Sequence, residues 1–333
     1  MGAKIMKALQ VHGFDGTHQW RLEDVPEPIA GPQDIVVQVE ATAISYVDLL
    51  LARGGYQVKP ALPVVPGTEF SGTIVACGPA VRQGLRVGLR VTGTSFGGAW
   101  AQRLRVDANA VEPLAEGSDL AAASALSVTY ATAHYALKLR GGLQADETVL
   151  VLGATGGVGL AAMQVARALG AQVVAGASGV TKVGAALERG ADRAVDTSQA
   201  NWREELKRVA PNGVDVIVDP VGGMLLEPAF RSLKWNGRYL VVGFAEGSIP
   251  SLRANLPLLK GAAFIGVDVR QFREREPDVA GANLAEAVRL FSVGLLKPCV
   301  ARTFPATEWP AAIQAASDRA TIGRIVIDWT TLR

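Results

Sequence analysis

Thr148-Val-Leu-Val-Leu-Gly-Ala-Thr-Gly-Gly-Val-Gly159 passes from an apolar strand through a glycine turn into the start of a helix with no residue to spare. Gly156 lets the backbone approach a diphosphate, and Gly159 lets the new helix pack closely on the sheet. Free N–H groups and the dipole at a helix start attract anionic oxygens. A plain βα turn also uses glycine, and Ala154 stands where the common fingerprint has its first glycine. The surroundings favour a dinucleotide: the turn follows a strand, opens an amphipathic helix closed by Gly170, and leads to a second apolar run. Ala154, Thr155, Gly156, Gly157, Val158 and Gly159 are therefore the candidate diphosphate-binding residues.

Outward from this turn, apolar and helical segments alternate. Strands are expected at Gln172 to Ala177, Arg193 to Asp196, Val214 to Val218, Arg238 to Val242 and Ala263 to Val269. Helices are expected at Val180 to Arg189, Asn201 to Ala210 and near Met224 to Leu233. Continuous apolar strands separated by helices imply a parallel sheet covered on both faces, which is the doubly wound α/β pattern.

Towards the start of the chain the texture differs. Asp34 to Ala43 alternates apolar and polar residues, and shorter runs recur at Phe70 to Ala76 and Arg86 to Gly93, with Pro60, Pro63, Pro66, Gly67, Gly78 and Pro79 between them. This reads as a small irregular β-barrel. A helix at Gly281 to Phe291 and a β-like run at Gly323 to Asp328 are expected to rejoin it. The expected division is 1–125 with 269–333 as one discontinuous domain and 126–268 as the dinucleotide domain.

The second strand also bears on which dinucleotide is bound. An NAD site keeps an Asp or Glu roughly 20 residues after the glycine turn to accept from the ribose hydroxyls. That place reads Ala175-Gly-Ala-Ser-Gly-Val-Thr-Lys182, with no carboxylate before Glu188. Ser178 can donate to a 2′-phosphate and Lys182 can neutralise it, so NADP(H) is the expected cofactor. A solvated lysine on a helix face is the alternative account of Lys182.

Bulk properties narrow the partners. The 333 residues are 49% hydrophobic, enough for two cores. The 33 basic residues nearly cancel the 31 acidic ones, so no field is present to draw a nucleic acid or an anionic membrane. The two cysteines, Cys77 and Cys299, exclude a disulfide framework and a four-thiolate zinc lobe, and a reducing cytoplasm is expected. Met1 to Gln10 lacks an apolar export core, and the Met-Gly start lacks the Ser/Thr of a myristoylation signal. Leu120 to Leu137 is rich in alanine and broken by Ser, Thr and His, which fits a buried helix better than a membrane span.

Leu9 to Gly13, Asp48 with Arg53-Gly-Gly-Tyr56, Pro66-Gly-Thr-Glu69, Ala154 to Gly159 and Gly323-Arg-Ile-Val326 follow one another in a familiar order. In this the chain resembles the quinone-oxidoreductase-like, zinc-free members of the medium-chain dehydrogenase/reductases over nearly its whole length. The resemblance implies a GroES-like catalytic domain, a Rossmann domain, and a homodimer or homotetramer. Zinc-dependent relatives carry a cysteine three residues before the aspartate matching Asp48 and a histidine before the glutamate matching Glu69. Ser45 and Thr68 occupy those positions here, and His12, His18 and His134 show no ligand spacing, so no metal is expected.

By the same resemblance, Ser45, Tyr46 and Tyr56 are the candidate catalytic donors. Many quinone reductases carry Asn where Ser45 stands, and the two tyrosines serve equally well as packing aromatics. Thr129, Gly243, Phe244, Ala245, Phe264, Gly266 and Val267 are expected along the cofactor, with Arg324 as a basic residue reaching it; for the glycines and apolar residues, turns or core are the alternatives. Without a Lewis acid, ketone–alcohol interconversion is disfavoured. The leading expectation is NADPH-dependent reduction of a quinone. Reduction of an enone or enoyl thioester, with Tyr56 as proton donor, is the second, and a non-catalytic NADPH-binding protein the third.

Overall fold

A computed structural model describes residues 4–332, and the Met1-Gly2 start considered above lies outside them. Contacts divide the chain into two units: residues 4–128, 284–292 and 298–332, and residues 129–283 and 293–297.

In the first unit, β1 (Ile5–Val11) and β2 (Trp20–Pro26) pair antiparallel. β3 (Asp34–Ala43), β4 (Glu69–Cys77), β5 (Arg90–Thr94), β6 (Arg103–Asp107) and β7 (Val111–Pro113) follow. The alternation along β3 is interrupted. Ile35, Val37 and Val39 enter a core with Phe70, Trp100 and Ile325, whereas beyond a bulge near Val39 the residues Ala41 and Ala43 join a separate cluster with Ala125 and Val326. The chain leaves β3 at Ile44 and opens the helix Tyr46–Ala52.

The second unit contains β8 (Thr148–Leu152), β9 (Gln172–Ala177), β10 (Arg193–Asp196), β11 (Val214–Asp219), β12 (Leu233–Val241) and β13 (Ala263–Gly266). Among the described residues they form a six-stranded sheet in the order β10-β9-β8-β11-β12-β13, parallel throughout. Every residue of β8 is buried, as a strand covered on both faces requires. The chain builds outward from β8 to β10, then crosses back to β11. The carboxyl ends of β8 and β11 therefore flank the switch point where such sheets bind ligands.

Back in the first unit, β14 (Val300–Pro305) and β15 (Arg324–Asp328) run parallel, linked through the helix Trp309–Ser317. β15 pairs antiparallel with Ala41, Thr42 and Ala43 of β3, on the same edge that β6 occupies from Asp34 to Gln38.

Some elements differ from the sequence reading. β12 begins at Leu233, but its pairing with β11 jumps from Val214↔Leu233 to Val216↔Arg238, and Asn236 in between has φ 59°. The regular ladder thus starts at Arg238, where the apolar run begins. β13 stops at Gly266 instead of running to Val269, because Asp268 accepts from Gln271 N at 2.9 Å and caps a helix over Val269–Arg275. Residues 120–140 are helical, but as short α-turns (Leu120–Ala123, Ala131–His134) alternating with wider π-turns (Leu126–Tyr130, Tyr135–Arg140). Among the described residues no helix is long and apolar enough to cross a membrane.

Candidate functional site

The glycine turn after β8 is shaped by two close approaches. Gly153 takes the left-handed φ of 58°, and a Cβ there would meet the Val221 side chain at 2.7 Å. A Cβ on Gly159 would lie 2.2 Å from Gly153 O. Ala154 keeps an ordinary φ and is buried, so alanine fits at the fingerprint position because the residue before it makes the sharp turn. Gly156 is exposed and extended, and no side chain caps the helix Gly157–Ala168 that follows it. The first N–H groups of that helix have no acceptor within it, and its first turn carries no acidic residue. Thr155 is buried beneath the turn, while Gly157 and Val158 are half-buried. Such a turn, with free N–H groups at a helix start, suits an anionic group.

At the end of β9, Ser178 is exposed and Gly179 adopts φ 86° before the helix Val180–Glu188. Lys182 lies in the first turn of that helix, half-buried and with no ion-pair partner among the described residues. Asp196, which the sequence reading did not single out, holds this corner: its Oδ1 accepts from Gly179 N at 2.7 Å and from Ser198 N at 3.0 Å. The Ser198 hydroxyl and the Gly179 N–H lower its carboxyl to about 2. Its charge is turned onto these donors.

Across the switch point, Asp219 is buried at the end of β11. Its Oδ1 accepts from Val221 N and Gly222 N at 2.8 and 2.9 Å, and its Oδ2 from Tyr239 Oη at 2.6 Å. Burial and the Asp219 charge push the Tyr239 phenol far up, so it stays a donor. Asp219 thereby fixes the turn whose Val221 side chain covers Gly153.

Gly243, Phe244 and Ala245 follow β12, and Ala245 N donates to Pro220 O of the Asp219 turn at 3.1 Å. Val267 is buried just past β13, and Thr129 is buried in the helical segment. Phe264 and Gly266 lie within β13 and not beyond it. The Phe264 ring packs 5.4 Å from Tyr239, so its contacts on this chain are those of a sheet residue.

In the first unit, Ser45 and Thr68 are brought together, with Oγ and Oγ1 3.1 Å apart. Ser45 caps the helix Tyr46–Ala52: its Oγ accepts from Asp48 N at 3.0 Å while Ser45 N donates to Asp48 Oδ2 at 2.7 Å. Asp48 Oδ1 is buried without a hydrogen-bond partner, and burial raises the carboxyl from its ordinary value against the pull of the Ser45 donors. Glu69 is also buried and raised by desolvation; it accepts from Val128 N at 3.0 Å and from Arg324.

Arg324, the basic residue expected to reach a cofactor, has its guanidinium buried on Glu69, 255 residues away in sequence. Sequence reasoning missed this pair. Tyr46 points outward at 50% exposure, and Tyr56 is half-buried with its ring 6.0 Å from Phe96. Two neutral hydroxyls do not fit zinc, and among the described residues no group of three or more His, Cys, Asp or Glu is placed to hold a metal ion.

Residues 31–116 match the family described as alcohol dehydrogenase GroES-like domain, and residues 157–285 that described as zinc-binding dehydrogenase. The chain is 34% identical over 307 residues to quinone oxidoreductase-like protein 2 of Mus musculus, covering 92% of this chain and 87% of that one. A probable oxidoreductase from Mycobacterium abscessus superposes with TM-score 0.89 at 33% identity, covering 98% and 100% of the two chains. The mycobacterial Rv1454c, solved in complex with NADPH, superposes with TM-score 0.88 at 26% identity over 97% and 100%.

The chain belongs to the medium-chain dehydrogenase/reductase family of oxidoreductases, and within it to the company of the quinone-oxidoreductase-like proteins. Its GroES-like and Rossmann folds agree with the sequence reading.

Proposed function

We propose that the chain is an NADPH-dependent quinone oxidoreductase that works without a metal. The observation that carries this reading is the Ser45–Thr68 hydroxyl pair, two weak neutral donors at the positions where relatives hold zinc. Bound NADPH supplies a hydride from nicotinamide C4. The chain binds its diphosphate on the turn Ala154–Gly159, and Ser178 and Lys182 take the 2′-phosphate. Thr129, Gly243, Phe244, Ala245, Phe264, Gly266 and Val267 are proposed to line the rest of the cofactor.

Ser45 Oγ already accepts from Asp48 N, and Thr68 Oγ1 lies 3.1 Å away; in the proposed arrangement Thr68 donates to Ser45. The Ser45 proton is then available to a substrate oxygen that gains negative charge as a quinone is reduced. Arg324 and Glu69 pair behind these hydroxyls, with Glu69 also accepting from Val128 N, and Arg324 is proposed to reach the cofactor from there. Tyr46 and Tyr56 are proposed as edge donors, with Tyr56 supplying the proton to the α-carbon if an enone is the acceptor.

The exposed apolar residues Trp235, Leu258, Leu259 and Phe264, around the open edge strand β13, support a homodimer or homotetramer. The free thiols Cys77 and Cys299 suit a reducing cytoplasm.

NADPH consumption against a panel of quinones, enones and enoyl thioesters, with and without chelator, tests the reading. Quinones are expected to turn over with chelator present. Stoichiometric NADPH binding with no turnover on any acceptor would leave a binding protein, and loss of activity with chelator would reinstate a metal. In Tyr56→Phe, a large loss on enones with a small loss on quinones supports the reading; equal collapse on both assigns Tyr56 as a shared proton donor.

A further inference from the structure

At the amino-terminal edge of the parallel sheet, the opposite end from the glycine turn, a cavity of about 160 Å³ opens just before β11 and β12. Leu206, Ala210 and Leu233 form its apolar floor. Its rim carries Arg203, Lys207, Arg231 and Lys260, and no carboxylate.

Of these four cations, only Arg231 has an ion-pair partner among the described residues. Arg231 is held by Nε and Nη2 on Glu227 Oε1 at 2.9 and 2.7 Å, which aims it but leaves Nη1 free. Arg203, Lys207 and Lys260 have no ion-pair partner among the described residues, and Arg203 Nε is buried with no hydrogen-bond acceptor. Burial and the Arg203 charge together hold the Lys260 ammonium below its ordinary value.

Helix ends explain only part of this arrangement. Lys207 and Lys260 lie in the last turns of the helices Trp202–Val209 and Asn255–Lys260, where cations complement exposed carbonyls. Arg203 lies in the first turn of its helix, where the dipole opposes a cation. A buried guanidinium N–H beside a second unpaired cation calls for an acceptor that carries negative charge.

We infer that this cavity binds a phosphate-type oxyanion, either free inorganic phosphate or the head of a small phosphomonoester, through Arg203, Arg231 and Lys260. The cavity is smaller than the ~300–1,000 Å³ that takes a drug-sized ligand, a size suited to a single phosphate group. The site is separate from the cofactor turn, and its existence does not depend on which acceptor is reduced.

Calorimetric titration of the full chain with inorganic phosphate and with glycerol 3-phosphate, against chloride at matched ionic strength, tests the inference. Saturable binding is expected for phosphate and not for chloride. Arg203→Gln and Lys260→Gln should each weaken it by about tenfold or more, as loss of a charge-assisted hydrogen bond does. Lys4→Gln, which removes one charge elsewhere, should leave it unchanged. Equal or tighter binding of glycerol 3-phosphate identifies a phosphomonoester site, and preference for inorganic phosphate a free-anion site; both uphold the assignment. It is overturned if no saturable binding occurs, if both rim variants bind as the parent does, or if Lys182→Gln alone abolishes binding, which would place the anion in the cofactor site.

Discussion

Ser45 Oγ and Thr68 Oγ1 lie 3.1 Å apart, within hydrogen-bond reach, at two positions where a zinc enzyme of this family would present cysteine and histidine. Both are buried, and Ser45 is held further by the reciprocal cap with Asp48. One contact between two hydroxyls uses one of their two protons, so the other can be donated to a substrate oxygen.

Ser45→Ala should separate two roles. Losing the cap costs about 1 kcal/mol of stability. Losing the donor should lower kcat on quinones by about 100-fold with little change in the KM for NADPH. Thermal melting and steady-state kinetics read the two effects; an unchanged kcat would remove Ser45 from the chemistry.

Asp48 makes stability depend on pH with a particular sign. Burial raises its carboxyl above 3.8, the ordinary value, so its contribution is complete below that pH and is lost as pH rises through the raised value. Glu69 is raised also and acts in the same sense. Asp48→Asn keeps an oxygen for the Ser45 N–H and cannot ionise. Its melting temperature should fall less than that of the parent as pH rises from 3.8, the ordinary carboxyl value, through the raised value of the buried group. Parallel curves for the two proteins would refute the assignment of a raised carboxyl to Asp48.

Ser178→Asp with Lys182→Ala places a negative charge where the 2′-phosphate is proposed to sit. The ratio of kcat/KM for NADPH over NADH should drop by about 10- to 100-fold, the scale of one charge-assisted hydrogen bond. An unaltered ratio would mean that the phosphate is read elsewhere.

Gly159→Ala drives a Cβ to 2.2 Å from Gly153 O, and backbone cannot yield as a side chain can. The turn must shift, at about 1–3 kcal/mol. Equilibrium dialysis should find NADPH affinity reduced at least about tenfold in a chain that still melts cooperatively. Retained affinity would show that the close approach is unnecessary for binding.

The glycine turn was legible because strand, turn and helix are contiguous, so local pattern and tertiary role coincide. The sheet was legible for a related reason, since buried parallel strands are apolar along their whole length. Asp196 was not: it reaches Gly179 only because β10 pairs with β9 in the register Asp196↔Ala177, and no spacing within one segment announces that. The Arg324–Glu69 pair hid for the same reason, as Arg324 sits in a motif suggestive of a cofactor contact while its partner comes from a strand near the other end of the chain. Ser45 and Thr68 were visible as substitutions, but only the fold shows that they bond to each other.

The pairing of β15 with β3 also sets an order of events during synthesis. Ala41, Thr42 and Ala43 emerge early, yet the strand that completes their edge, Arg324–Asp328, is made some 280 residues later. The six-stranded parallel sheet, encoded in between, is fully translated first. On the ribosome, the half that begins the chain must wait with an open strand edge for the last to arrive, and that interval is when it has most need of a chaperone.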